Sequence, residues 1–358
     1  MDPGVLLSPI AALHVPPELR GGRRQGLLDA RPGPRRLGQR GRERAAVRAR
    51  DGRPMKVAVV GATGMVGRVL LERLERRRFP VSALLPFSSG RAKASVPFKG
   101  RPVAAPGVTA AALRSADLVF LVSSDEVSKR WGKDLAARGI WVIDDSSAFR
   151  LDPSVPLVIP EVNASALRPN RRLIAGPNCT ISGLAVAAAA VHRRAGVVRV
   201  RMASYQAVSG AGREALLEFY GQTRRAARAL SDRDFLRPLP GESASALPAP
   251  IAFNVFPQVG GFNDDGECSE EVKVRAELRK IWSAPGLALS ATTVRVPVVR
   301  GHSVAAWLEL ARPLTPRAAA ALRAPGAAVW PQGTYPTPRA PSRSPRGASA
   351  RRAPRLCR

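Results

Sequence analysis

A short apolar run that ends in a glycine-rich turn constrains this chain more than any other stretch. Residues 56–60 (KVAVV) predict a buried strand, GATGMVG follows at 61–67, and an amphipathic helix continues to about residue 76. In that setting glycine lets the backbone approach a pyrophosphate, and the helix N-terminus stabilises its charge. The stretch therefore predicts the first strand, turn and helix of a dinucleotide-binding domain.

The glycine spacing in this turn is G-x-x-G-x-x-G, a variant of the usual G-x-G-x-x-G fingerprint. The alternative to dinucleotide binding is a tight turn that is purely structural. The flanking strand and helix favour the dinucleotide, because they supply the context that the motif needs. We expect its contacts from Gly61, Thr63, Gly64, Met65, Val66 and Gly67.

Apolar runs recur through the first half of the chain, with helical segments between several of them. They lie at 81–86, 118–122, 141–143, 157–159 and 173–175. Strands that alternate with helices are typical of a parallel sheet with crossover helices. We therefore predict a Rossmann-like α/β domain at 55–178.

The pattern changes from about residue 196 onward. Three long strands and two helices are predicted at 197–208, 289–298, 303–311, 213–230 and 269–282. Such an arrangement indicates an α+β domain with a mixed or mostly antiparallel sheet. We assign this second domain to 179–338.

The net charge of +30 over 358 residues is typical of nucleic-acid-binding proteins, but its distribution argues against that class. Residues 1–54 and 339–358 carry +14 of it, in segments rich in Arg, Pro, Gly, Ala and Ser without interleaved aromatic residues. We expect both ends to be disordered or spurious, with Met55 as the natural start. The first segment also lacks the apolar core and cleavage site of a secretory signal.

Two further protein classes are disfavoured by the composition. No apolar stretch approaches the about 18 residues that span a bilayer, so we expect no membrane association. The three cysteines are scattered, which argues against a disulfide framework or a zinc site and suits a reducing cytoplasm. We predict a cytoplasmic protein without a metal site.

The residues after the second predicted strand indicate which dinucleotide binds. NAD sites usually place an acid there, on the ribose 2′-hydroxyl, yet no Asp or Glu occurs in 76–116. SSGRAK (88–93) follows the strand instead, and its hydroxyl and guanidinium groups suit a 2′-phosphate. We predict NADP, with contacts from Ser89, Arg91 and Ala92; the alternative is a solvated loop.

Cys179 lies in GPNCT (176–180), between an apolar run at 173–175 and small helix formers at 183–191. This pattern predicts a strand, a tight turn and a helix N-terminus. A thiol there faces free backbone N–H groups and the positive end of a helix dipole, which favour the thiolate. We predict a nucleophile; the alternative for this segment alone is a small core residue.

Three later segments place reactive or charged side chains at turns or helix starts: YQAVSGAG (205–212), EEVK (270–273) and RVPV followed by GHS (295–303). With them the chain resembles the aspartate-semialdehyde dehydrogenase family. Five other motifs match in the family's order, within about 55–338: GATGMVG, SSAFR (146–150), VIPEVN (158–163), PNCT (177–180) and FNVFPQ (253–258). The resemblance implies a homodimer whose second domain carries catalysis and dimerisation.

The chemistry of the matched residues fits the roles that the resemblance implies. Cys179 attacks the aldehyde, His302 acts as acid or base, and Gln206 orients the intermediate. Hydride passes to the nicotinamide near Ser209 and Gly210, and inorganic phosphate then attacks the thioester. In reverse, this is the reductive dephosphorylation of 4-phospho-L-aspartate in lysine, threonine and methionine biosynthesis.

Charge is expected to recognise the small amino-acid substrate. Arg295 suits its α-carboxylate through a bidentate fork, and Glu270 suits its α-ammonium. Arg150 and Lys273 suit the phosphate. The alternative for each is a solvated surface charge, which we accept for Glu271.

Departures from the family pattern leave alternatives open. Gly176 and Asp145 stand where the family commonly has Asn, and we expect both changes to be tolerated. After residue 338 an Arg- and Pro-rich stretch replaces the family's last strand and helix, which we interpret as a frame shift that exposes apolar surface. An inactive remnant is therefore one alternative. An N-acetyl-glutamyl-phosphate reductase is a second, although Glu270 argues against it, and a nucleic-acid binder is a third.

Overall fold

The computed structural model describes residues 54–229 and 243–322. The predicted N-terminal extension, apart from residue 54, and the predicted tail at 339–358 lie outside these ranges. Its first part is a five-stranded parallel sheet in the order β2-β1-β5-β6-β7, with a separate β3-β4 hairpin. The strands are β1 Met55–Val60, β2 Val81–Phe87, β3 Ser95–Phe98, β4 Arg101–Ala104, β5 Leu118–Leu121, β6 Trp141–Asp144 and β7 Leu173–Ala175. The helices between them are α1 Met65–Arg76, α2 Ala110–Arg114, α3 Asp125–Ala137 and α4 Pro160–Asn163.

Strand β1 lies inside this sheet, between β2 and β5, and is almost continuously apolar because it is buried on both faces. Successive residues point to opposite faces, so Val57 joins a cluster with Leu71 of α1, while Ala58 joins a cluster with Leu135 of α3. Helices therefore cover both sides of the sheet. This arrangement confirms the predicted Rossmann-like α/β fold.

Two local predictions in this part of the chain need correction. Residues 157–159 do not form a strand: Leu157 makes a single bridge to Ala175, and Pro160 then starts helix α4. The β3-β4 hairpin was not predicted, because prolines at 97 and 102 depress the strand pattern. The two prolines face each other in the register, and the hairpin packs against α1.

The second part contains a three-stranded sheet in the order β10-β8-β9. Its elements are α5 Cys179–Ala195, β8 Val197–Gln206, α6 Arg213–Ala229, α7 Ser269–Ile281, β9 Ala288–Arg295, β10 Ser303–Leu310 and α8 Pro316–Ala321. Strand β10 is antiparallel to β8, but β9 is parallel to it. The sheet is therefore mixed, which confirms the predicted α+β domain and selects the mixed sheet over a mostly antiparallel one, because the connection through α7 returns the chain in the direction of β8.

Helix α5 joins the two sheets. It packs against α7, β8 and β10. Its Ile181 belongs to the same hydrophobic cluster as Val119 of β5 and Val200 of β8. The predicted domain boundary at residue 178 falls at the start of this helix, so the first turn of α5 lies where the two sheets meet. None of the helices in the described parts of the chain is both long and apolar enough to cross a lipid bilayer.

Substitution of Gly67 by alanine tests how tightly the glycine turn packs. A Cβ there would lie 2.2 Å from the Gly61 carbonyl oxygen and 2.8 Å from the Ala62 Cα, both backbone atoms that cannot move aside freely. We expect Gly67→Ala to lower the free energy of unfolding in urea by about 3 kcal/mol. A Cβ on Gly286 meets no atom within 4 Å, so Gly286→Ala is the control and should change it little. Equal stability of the two variants would contradict the described packing.

Candidate active site

Cys179 is the first residue of α5 and directly follows the turn after β7. The Asn178 side chain caps the helix by accepting a hydrogen bond of 2.7 Å from the Thr180 N–H. The first turn of α5 contains no acidic residue. Cys179 is exposed at this helix end, which is the strand, turn and helix start that the sequence predicts.

His302 brings an imidazole to the thiol from the turn between β9 and β10. Its Nε2 lies 3.3 Å from Cys179 Sγ. The backbone N–H of Ala207 donates to Nδ1 over 3.0 Å. Because Nδ1 accepts that bond, we assign the proton of the neutral ring to Nε2, where it faces the sulfur.

The pKa values of Cys179 and His302 shift in the directions that disfavour a thiolate–imidazolium ion pair. Although Cys179 as a residue is exposed, the protein atoms packed around it desolvate the thiol and raise its pKa; the Glu270 carboxylate raises it further, and a hydrogen bond from Thr180 acts in the opposite direction. Burial lowers the pKa of His302, and the Arg295 charge adds to that effect. These directions oppose the effect expected from the helix N-terminus, which favours the thiolate.

Glu270 is the hydrogen-bond hub beside the nucleophile. Its Oε1 accepts from Asn178 Nδ2 and Thr180 Oγ1 at 3.0 Å each, and from Gln206 Nε2 at 3.4 Å. Both Glu270 and Gln206 are buried. No hydrogen bond among the described residues uses Glu270 Oε2, which leaves one oxygen for a ligand.

Arg295 ends strand β9 and is only 5 % exposed. One of its terminal nitrogens donates to the Ala207 carbonyl over 2.8 Å. Its Nε is buried without a hydrogen-bond partner in the described structure. A buried guanidinium donor without a partner is costly, so this atom marks a place where an anionic ligand would be stabilised.

A cleft of about 360 Å³ lies beside the Cys179–His302 pair, and its walls include Gly210, Gln258, Glu270, Lys273 and Arg295. Lys273 is half-buried and makes no hydrogen bond or ion pair that involves only the described residues. A second groove of about 510 Å³ lies at the start of β1 and contains none of the predicted site residues. The smaller cleft is therefore the candidate active site.

Arg150 lies behind the nucleophile loop and is buried. Its Nε donates to the Gly176 carbonyl over 3.0 Å, and one terminal nitrogen donates to the Asp145 carbonyl over 2.8 Å. The other terminal nitrogen pairs with Glu277 at 3.2 Å. Three of the five guanidinium N–H groups are thus engaged, which leaves two for an anion.

The glycine turn has the features that a pyrophosphate needs. It is tied to β2 by hydrogen bonds from the Gly61 and Ala62 N–H groups to the Phe87 carbonyl. Gly64 caps α1 without a side-chain hydrogen bond, so no side chain blocks the first N–H groups of the helix. Met65 and Thr63 are half-buried, and Val66 is exposed at the helix start.

The predicted 2′-phosphate residues lie at the end of β2, next to this turn. Ser89, Arg91 and Ala92 are all exposed there. The neighbouring Ser88 hydroxyl instead donates to the Ala105 carbonyl, over 2.7 Å, and so has a structural partner. The described residues of this region fit a dinucleotide with an extra phosphate.

Ser209 and Gly210 lie in a short 3-10 turn, Val208–Ala211, against His302 and Arg295. A Cβ on Gly210 would come within 3.2 Å of His302 Cε1 and 3.3 Å of Arg295. Any side chain there would press on both functional residues. The close approach explains why glycine occupies this position.

Sequence analysis missed Asn178, Glu277 and the Ala207 backbone as parts of the site. Asn178 carries a recognisable pattern, since Asn directly before a helix is a preferred N-cap. Glu277 follows Glu270 by seven residues, which places both on one face of a helix. The role of the Ala207 N–H cannot be predicted from the sequence, because every residue except proline has a backbone N–H.

Replacing Glu270 by glutamine tests the electrostatics of the thiol. Removal of its negative charge should lower the pKa of Cys179, so more thiolate is present at pH 8 and alkylation by iodoacetamide is several times faster than in the wild type. Glu271→Gln is the control, because Glu271 instead caps α7 and accepts from the Thr293 N–H. A slower or unchanged rate in Glu270→Gln would refute the assigned coupling.

Comparison with known proteins agrees with this geometry. Residues 56–169 match the semialdehyde dehydrogenase NAD binding domain, and residues 188–346 match the semialdehyde dehydrogenase dimerisation domain. The chain is 38 % identical to the aspartate-semialdehyde dehydrogenase of Synechocystis over 292 residues, which covers 80 % of this chain and 83 % of that protein. The Bacillus subtilis enzyme is 37 % identical over 262 residues, 73 % of this chain and 75 % of its own length.

Solved structures give the same result. Aspartate semialdehyde dehydrogenase II from Vibrio cholerae superposes with a TM-score of 0.74 at 32 % identity, over 80 % of this chain and 84 % of that one. Its complex with ASA gives a TM-score of 0.68 at 34 % identity, over 73 % and 76 %. On its domains, fold and sequence, the chain belongs to the aspartate-semialdehyde dehydrogenase family.

Proposed function

We propose that this protein is an NADP-dependent aspartate-semialdehyde dehydrogenase that interconverts L-aspartate 4-semialdehyde and 4-phospho-L-aspartate. The observation that supports it best is a thiol and imidazole pair that lies beside a cleft whose walls hold a buried cation and a buried anion. Cys179 and His302 supply the chemistry, and Arg295 and Glu270 supply the opposite charges. An amino-acid aldehyde carries the matching groups.

Substrate binding follows from the unsatisfied atoms of the cleft. The buried Nε of Arg295 would bind the α-carboxylate, because a charge-assisted bond removes its desolvation cost. Glu270 Oε2 would accept the α-ammonium. An N-acetylated substrate has no ammonium to offer, so its binding would leave the Glu270 carboxylate without a partner.

In the oxidative direction, Cys179 would give its proton to solvent, to which it is exposed, and its sulfur would attack the aldehyde carbon while the carbonyl electron pair moves to the oxygen. The Nε2–H of His302 faces the sulfur and would donate a hydrogen bond to the oxygen that becomes negative in the adduct. Gln206, held between Ser204 and Glu270, would fix the orientation of that oxygen or of the attacking group. Bound NADP supplies a hydride acceptor.

Loss of hydride from the adduct leaves a thioester on Cys179. An oxygen of inorganic phosphate then attacks the thioester carbon, the carbon–sulfur bond breaks, and the thiolate leaves. Arg150 and Lys273 would hold that phosphate by their charges. The reverse sequence reduces the acyl phosphate and serves lysine, threonine and methionine biosynthesis, for which we propose a cytoplasmic location.

We also propose that the protein acts as a homodimer, with a dinucleotide domain at 55–178 and a catalytic and dimerisation domain at 179–338. The exposed face of the second sheet supports this proposal. Tyr205 and Trp307 are 43 % and 50 % exposed on β8 and β10, and large exposed aromatic residues favour an interface. The match to a dimerisation domain covers these strands.

Steady-state turnover tests the proposed function. NADP reduction should depend on both aspartate semialdehyde and phosphate, and it should be absent with N-acetylglutamate semialdehyde. Cys179→Ser should lose this turnover, because a hydroxyl is a much weaker nucleophile at neutral pH. Cys268→Ser is the control, since Cys268 is buried at the start of α7 and its sulfur faces the Pro257 carbonyl instead of His302. Turnover of the N-acetylated substrate alone would overturn the assignment, and NADP binding without turnover would indicate an inactive remnant.

Arg91→Ala tests the choice of NADP. Loss of a guanidinium on the 2′-phosphate should raise the KM for NADP by about 10- to 100-fold and leave the KM for NAD unchanged. Arg101→Ala is the control, because Arg101 is an exposed arginine of the neighbouring β3-β4 hairpin. A parallel increase for both dinucleotides would place the 2′-phosphate elsewhere.

A further inference from the structure

Glu277 is a buried carboxylate that connects two parts of the site. It is 1 % exposed on α7, on the same face as Glu270. One carboxylate oxygen accepts from Arg150 at 3.2 Å, and the other accepts from the Asn178 N–H at 2.7 Å. Asn178 directly precedes the nucleophile, so a single side chain bonds to both the Arg150 guanidinium and the Cys179 loop.

The environment of Glu277 shows how much depends on these two bonds. Burial raises its pKa, whereas the Arg150 charge and the Asn178 N–H lower it. A buried carboxylate is tolerated only when its oxygens are paired. Both oxygens are paired here, and each partner belongs to a loop at the end of a different strand, β6 or β7.

Lys280, one helical turn further along α7, fixes the backbone of the same arginine loop. Its ammonium group donates to the carbonyls of Arg150, Asp152 and Val155 at 2.7, 2.7 and 2.8 Å. These three bonds use every hydrogen of the ammonium group. Helix α7 therefore holds Arg150 twice, at its side chain through Glu277 and at its backbone through Lys280.

We propose that Glu277 is a positioning residue for phosphate use: it holds the Arg150 guanidinium at a fixed place relative to Cys179, with two N–H groups left for the anion. The inference rests on the proposed function, because it takes phosphate as the ligand of Arg150. Helix α7 then carries two recognition residues, Glu270 and Lys273, and one residue that acts through Arg150. The distance between the residues that recognise the substrate and the Arg150 guanidinium is fixed, because one helix, α7, carries Glu270 and also positions Arg150.

Glu277→Gln in the full chain tests this proposal. Glutamine keeps the shape but offers one acceptor and one donor, so it cannot accept from both Arg150 and the Asn178 N–H. We expect the KM for phosphate to rise about tenfold or more, with a much smaller change in the KM for aspartate semialdehyde. The phosphate concentration that half-protects Cys179 from iodoacetamide should rise equally, and that readout needs no turnover.

Three comparisons separate positioning from general damage. Glu271→Gln, on the same helix, should keep the wild-type phosphate constants. Glu277→Asp restores the charge and should recover part of the phosphate affinity. Adding Glu277→Gln to Arg150→Met should raise the phosphate KM no further, since the residue acts through Arg150.

The outcomes also distinguish this inference from the proposed function. The inference would be overturned if folded Glu277→Gln kept the wild-type phosphate constants, or if the two substitutions of the double variant had additive effects. Turnover by the wild type would uphold the proposed function in either case. If the wild type lacks turnover but phosphate protection is lost in Glu277→Gln, the function fails and the inference stands. If phosphate does not protect wild-type Cys179, Arg150 holds no phosphate and the inference fails.

Discussion

The burial of two carboxylates and two guanidinium groups beside one thiol is the constraint on which the site depends. Glu270, Glu277, Arg150 and Arg295 are each at most 9 % exposed. Charges in such a place are stable only if partners meet them in good geometry, and those partners come from different elements. Helix α7, strand β9 and the loops after β6 and β7 must therefore assemble together.

The fold was predictable where the residue pattern has a single explanation. Strand β1 is apolar on both faces and is followed by glycines, which leaves little choice but a central parallel strand. Prediction failed at 157–159, where an apolar run is only three residues long and Pro160 starts a helix. The direction of β9 stayed open between a mixed and a mostly antiparallel sheet, because it depends on how α7 crosses the sheet and not on the strand's own residues.

In the candidate site, too, some features could be predicted from the sequence and others could not. Cys179 and His302 were predictable because their chemistry is rare in the chain and their turns carry glycines. The direction of the thiol pKa was not, since the sequence shows the helix N-terminus but neither the desolvation of the sulfur nor the nearby Glu270 carboxylate, which both raise it. The proton position on His302 depends on the Ala207 N–H, and a backbone donor is assigned only from coordinates.

The two departures from the family pattern around the nucleophile are neighbours in space. A Cβ on Gly176 would lie 3.1 Å from Asp145 Oδ1, so glycine leaves room for that carboxylate. Arg150 bonds to the carbonyls of both residues, which ties the pair to the site. Burial raises the pKa of Asp145, and its charge in turn adds to the effects of burial and Glu270 that raise the pKa of Cys179.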